Sequence, residues 1–212
     1  GIPVEVAGDE IGLASELAVR PLLLALDVAG RGGVPDADEA HRLLLSGWGG
    51  FDAVSIRTLG RLLRGADAEV GGTPAPTLVA EALAGLRPVP EGVDDLADRR
   101  DLLAVAAARV TAGARPDEVL WELWAGTDWP ARLRAEALRP GDGAARANRD
   151  LDAIVALFQL AHESAAPGGA DGVRWFLAEV AQQQIPADSQ RESAVAGRGV
   201  RVLTAHRAKG RH

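Results

Sequence analysis

Two groups of residues have the types and spacing to do chemistry. The first is at the C-terminal end, where Gly199 to Gly210 read G-V-R-V-L-T-A-H-R-A-K-G. Val200, Val202 and Leu203 with Arg201 form a short β-prone run, and Thr204, His206 and Lys209 follow it in a polar, basic turn. A hydroxyl that donates, an imidazole that donates or stacks and an ammonium point charge at one strand edge suit a phosphate chain. They equally suit an ordinary surface loop. The second group is Arg57, Arg61 and Arg64, at i, i+4 and i+7, which a helix gathers into one outward stripe. Such a stripe meets phosphates or simply faces water.

The remaining chemistry is sparse. There is no G-x-x-x-x-G-K-[ST] segment, so no P-loop for ATP. The chain has four His and no Cys, which excludes disulfides and thiolate metal sites, and no H-E-x-x-H spacing occurs. Asp94, Asp95, Asp98 and Asp101 read as the acidic first turns of a solvated helix, paired with Arg99 and Arg100, rather than as an acid/base cluster. Trp121, Trp124 and Trp129 are able to stack bases, but Leu120, Leu123 and Trp124 share an apolar helical face, which favours packing. A formal net charge of −7 argues against a strong general DNA binder and restricts any DNA contact to a local patch.

These groups need elements to hold them. With 212 residues, 47% hydrophobic and 25% charged, the chain can bury a sizeable core. No apolar run approaches the ~20 residues of a membrane span, and no signal peptide is evident, so a cytoplasmic location is expected. Val4 and Val6 mark a short strand ending at Gly8. Helices are expected at about Ala14–Ala29, with Pro21 as a kink or as the true first turn, and from Asp36, whose spacing to Glu39 suggests a capping box. Asp52 is expected to cap a helix reaching about Asp67, with Val54, Leu59, Leu62 and Leu63 inward. Further helices fall at about Thr77–Leu86, Asp94–Ala112, Pro116–Ala125, Trp129–Arg139, Ala144–Ala165 and Asp171–Gln184. Ile185 to Arg198 reads as a polar connection into the final strand.

The expected fold is therefore mainly α, about nine helices flanked by two short β-strands. Two lone strands cannot satisfy their own backbone groups. They read as adjacent strands of a neighbouring domain's sheet, with a helical domain inserted between them.

The segment T-A-H-R-A-K-G resembles motif V of superfamily 1A DNA helicases (the UvrD, PcrA and Rep type), written T-x-H-x-x-K-G-L-E. The likeness stops at Gly210, since Arg211 and His212 follow and the motif's Glu does not, so a piece of a longer protein is expected. G-I-P-V-E-V-A-G is similar to the strand of the RecA-like domain 2A that precedes the 2B insertion, and A-V-R-P-L-L-L-A-L to the entry into 2B. L-L-L-S-G-W-G-G-F-D-A-V-S-I-R-T-L-G-R-L-L-R, W-E-L-W-A and F-L-A-E-V-A-Q-Q-Q-I-P-A-D resemble the 2B segment of actinobacterial AdnA and AdnB helicase–nuclease subunits.

The resemblance implies three parts: residues 1–10 as the end of a 2A strand, 11–198 as a helical 2B subdomain and 199–212 as the return to 2A with a truncated motif V. It implies that Thr204 and His206 contact a single strand, with Lys209 in the turn leading to the nucleotide. Gly47, Gly49 and Gly50, with the helix after them, would meet duplex DNA, and Arg57, Arg61 and Arg64 would take its phosphates. Expected partners are DNA, the remaining helicase domains and a second helicase–nuclease subunit. ATP and Mg belong to the parent protein; no cofactor and no catalytic residue is expected in this chain. The competing reading is a helical protein-interaction module with no DNA role; a small helical enzyme lacks any convergent catalytic group.

Overall fold

The structure, a computed structural model, describes residues 4–6, 12–66, 72–182 and 200–202. After strand β1 (Val4–Val6), a 3-10 turn at Leu13–Ser15 precedes helix α1 (Arg20–Gly30). Pro21 is in the first turn, where its missing N–H has no intrahelical partner to lose. The helix therefore begins six residues later than the apolar pattern suggests, and Leu17, ahead of it, is 78% exposed. A proline further inside would have displaced the carbonyl four residues back.

Helix α2 (Ala37–Leu44) opens on the expected capping box. The Asp36 carboxylate accepts the Asp38 and Glu39 N–H groups at 2.9 and 2.8 Å, and Glu39 accepts the Asp36 N–H at 2.9 Å. Helix α3 (Ala53–Ala66) starts at Asp52, whose Oδ1 accepts the Ser55 N–H at 2.7 Å. The chain continues through α4 (Ala75–Leu83), α5 (Asp94–Thr111), α6 (Pro116–Ala125), α7 (Trp129–Ala137), α8 (Asp142–Glu163) and α9 (Gly169–Gln182). Pro116 occupies the first turn of α6, with the Glu118 carboxylate accepting the Arg115 N–H at 2.9 Å. The protein is mainly helical, with nine α-helices among the described residues. Strand β2 (Val200–Val202) pairs with β1 in parallel, Val4 opposite Val200 and Val6 opposite Val202.

Helix α1 lies at the centre, packed against α2, α5, α6 and α9. On one side α2 and α3 pack on α4; on the other α7 packs along α8. Leu22 and Leu26 of α1, Leu43 and Leu44 of α2, Leu103 of α5 and Phe176 of α9 are fully buried. Burial of each such side chain stabilises the fold by roughly 1.5–3 kcal/mol.

The inward face of α3 differs from the expected one. Ile56, Leu59, Gly60 and Leu63 are buried, whereas Val54 is 60% and Leu62 47% exposed. Val54 sits one turn before Arg57 and shares the outward arginine face; Leu62 lies beside Arg61 on the exposed side. Arg99 also departs from expectation. It turns inward and pairs with Asp128 at 3.2 Å rather than with its acidic neighbours. Arg100 does pair with Asp101, at 2.8 Å. That hydrogen bond and charge hold the Asp101 carboxyl below, and the Arg100 guanidinium above, their ordinary values. Asp94, Asp95 and Asp98 face solvent. No helix among the described residues is long and apolar enough to cross a membrane.

Candidate functional site

The three arginines of the stripe come together along one cleft of about 530 Å³, between α3 and α4 and bordered by α2. Its rim is Arg57, Arg61 and Arg64, all exposed. Its floor is apolar: Ile56 of α3 and Ala75 and Val79 of α4, with Val54 and Pro76 at the edges. His41 of α2, exposed, closes one end. Gly60 explains how the two helices meet, since a Cβ there would lie 3.0 Å from the Ala75 Cβ.

Electrostatically the cleft stands apart from an acidic chain. No carboxylate lines it among the described residues. Arg31, Arg42, Arg87 and Arg115 are in ion pairs. Among the described residues Arg57, Arg61 and Arg64 form none; Arg61 donates to the Thr58 hydroxyl at 3.0 Å. Helix α4 begins at the cleft with Pro74 before it and no side-chain cap, so the positive end of its dipole adds to the arginines. Asp52 lies near α3's start, and its carboxyl is held below the ordinary value. The Ser55 backbone and side-chain hydrogen bonds contribute most, and the Arg57 charge adds to them. The arrangement offers anion contacts above an apolar surface. It contains no nucleophile or acid/base pair.

The glycines expected to join the arginines occupy a separate place. Gly49 and Gly50 lie in the turn between α2 and α3 and do not line the cleft. The Gly50 N–H donates to the Ser46 carbonyl at 2.9 Å, and Gly50 has φ +78°, which favours glycine. Gly49 is buried, and a Cβ on it would lie 2.3 Å from the Leu44 Cα. A Cβ on Gly47 would strike the Trp129 ring at 2.3 Å. Close packing calls for glycine at 47 and 49, and the left-handed backbone calls for it at the exposed position 50. Thr204, His206 and Lys209 lie outside the described residues.

Of the tryptophans, Trp124 and Trp129 are buried edge to face, 5.1 Å apart. Trp121 is exposed and forms a T-shaped pair with Phe158, ring centres 5.9 Å apart. Among the described residues no group of three or more His, Asp or Glu is placed to hold a metal ion. Sequence reading missed the cleft's floor and His41, because Ala75, Pro76 and Val79 reach the arginines only through the α3–α4 contact. The Pro74-Ala75-Pro76 start of a helix beside a basic stripe is the one local signal for it.

No protein-family model matches the chain, and no curated protein matches it either.

Proposed function

We propose that this chain is the helical accessory domain, of the 2B kind, of a superfamily 1A-type DNA helicase, and that it positions DNA through Arg57, Arg61 and Arg64. The observation that carries this reading is the convergence of three arginines without ion pairs among the described residues on one carboxylate-free cleft, in a chain of net charge −7. Phosphate contacts of this kind fix register and orientation without reading sequence. The parallel pairing of Val4–Val6 with Val200–Val202 supports an insertion between neighbouring strands of a 2A domain. In this reading ATP and Mg act in the parent protein, in the cytoplasm, and the chain itself turns over no ATP.

Binding of the purified chain to a forked DNA, followed by fluorescence anisotropy across a salt series, tests this. Three phosphate contacts give a salt slope of about −2 to −3 in log–log form, and the triple change Arg57→Ala, Arg61→Ala, Arg64→Ala abolishes it. Binding that ignores salt, or survives the triple change, rejects the DNA role.

The second reading, a protein-interaction module, is favoured by the overall negative charge and by the exposed Trp121 and Val155 beside Phe158. Absence of DNA binding with a folded chain selects it.

A further inference from the structure

We infer that the α3–α4 cleft holds one unpaired nucleotide of a DNA strand, with its phosphates on the arginine rim and its base against the apolar floor. This rests on the DNA-positioning reading and goes beyond it by naming a single strand, not a duplex, as the occupant. Phosphate contact alone needs only the rim. The cleft adds a floor, Ile56 and Val79, that stays apolar and lies below three charged side chains. Its volume of about 530 Å³ falls in the size range of small-ligand sites, which suits one nucleotide; a duplex would reach only the rim. Gly60, by carrying no side chain, lets α4 approach α3 closely, so that Val79 and Ile56 form one continuous apolar floor. His41 at one end supplies an imidazole face for stacking, the sequence-tolerant contact that single-strand sites use.

The arginines are spaced for a strand as well. At 1.5 Å rise per residue, Arg57 to Arg61 covers about 6 Å and Arg57 to Arg64 about 10 Å along the helix, a row rather than a point. An acidic peptide would match the charge. It would leave the apolar floor without the flat ring that the imidazole and the aliphatic side chains can sandwich.

The experiment measures binding of the 212-residue chain to four probes: an oligo(dT) of about ten nucleotides, an abasic strand of equal length, a blunt duplex and thymidine monophosphate. The expected result is oligo(dT) binding about tenfold tighter than the abasic strand. The double change His41→Ala, Val54→Ser alters two exposed side chains, so the fold is kept, as circular dichroism would verify. It should erase that tenfold difference, bringing oligo(dT) down to the affinity of the abasic strand measured on the same variant. The triple arginine change should remove both.

If oligo(dT), abasic strand and duplex bind alike and all depend on the arginines, the phosphate reading stands and this inference falls. If no probe binds, both fall. Thymidine monophosphate competing as well as the strand overturns the strand assignment in favour of a free nucleotide. A poly-glutamate peptide displacing oligo(dT) at equal concentration overturns it in favour of an acidic protein partner.

Discussion

The Trp48 indole Nε1 donates a hydrogen bond of 3.0 Å to the Leu123 carbonyl, joining residues 75 positions apart. Leu123 is in the last turn of α6, among the carbonyls that a helix end leaves without an intrahelical partner. Trp48 thus closes a helix terminus from a distant turn while its ring is fully buried. Trp48→Phe keeps most of the ring but strands the carbonyl, and a loss of about 1–3 kcal/mol is expected in urea unfolding. Trp48→Ala also leaves a cavity and should cost about 3–5 kcal/mol.

Glycines in this chain should divide sharply by environment. Gly49→Ala places a Cβ 2.3 Å from the Leu44 backbone, so destabilisation of at least about 1–3 kcal/mol is expected. Gly65, in α3, has nothing within 4 Å of an added Cβ. Gly65→Ala should stabilise by about 0.5–1 kcal/mol through helix propensity. Thermal melts of the two variants check both signs.

Asp52 gives a pH dependence of known direction. Its carboxyl lies below the ordinary 3.8 when folded, so its contribution is fully present above 3.8 and fades as pH falls through the lower, folded value. Asp52→Ala should therefore be less stable than the unaltered chain at pH 7, and the gap should narrow below pH 3.8. Melting temperatures of both proteins from pH 7 to pH 2.5 test this; a gap that persists at the acid end contradicts it.

Arg99 and Asp128 form a pair of unequal burial, with side chains 9% and 59% exposed. Removing the exposed partner by Asp128→Ala should cost at most about 1 kcal/mol. Arg99→Ala loses buried packing as well as the bond and should cost about 2 kcal/mol, with Arg99→Met recovering part of it. Chemical denaturation of the three variants orders them.

The local parts of this fold were readable because their causes are local. Asp36 and Glu39 announce a capping box at fixed spacing, and Pro116 announces the start of α6. Pro21 left two roles open, kink or first turn, and the apolar pattern around it placed the helix start six residues too early. Val54 and Leu62 misled, because an apolar residue on a helix says nothing of which neighbour, if any, covers it. The buried face of α3 is set by α4, which approaches closely at Gly60. The arginine stripe was legible as a row of charges, while the floor beneath it belongs to another helix. The close packing of the Gly47–Gly50 turn was not legible either, because Trp129 and Leu44, which crowd Gly47 and Gly49, are brought there by the fold.

The turn before α3 carries a mechanical consequence. Its Gly47 carbonyl accepts from Arg132 at 2.6 Å, Trp48 donates to Leu123, and Gly49 receives the Arg99 Nε at 3.4 Å. These anchors reach α7, α6 and α5, three helices remote in the chain. The arginine-bearing helix is thus moored at its root, and a pull on its guanidiniums is shared by the far half of the bundle instead of bending a free arm. Amide deuteration at Trp48–Phe51 should accordingly be as slow as in the central helix, unlike that of an ordinary surface connection.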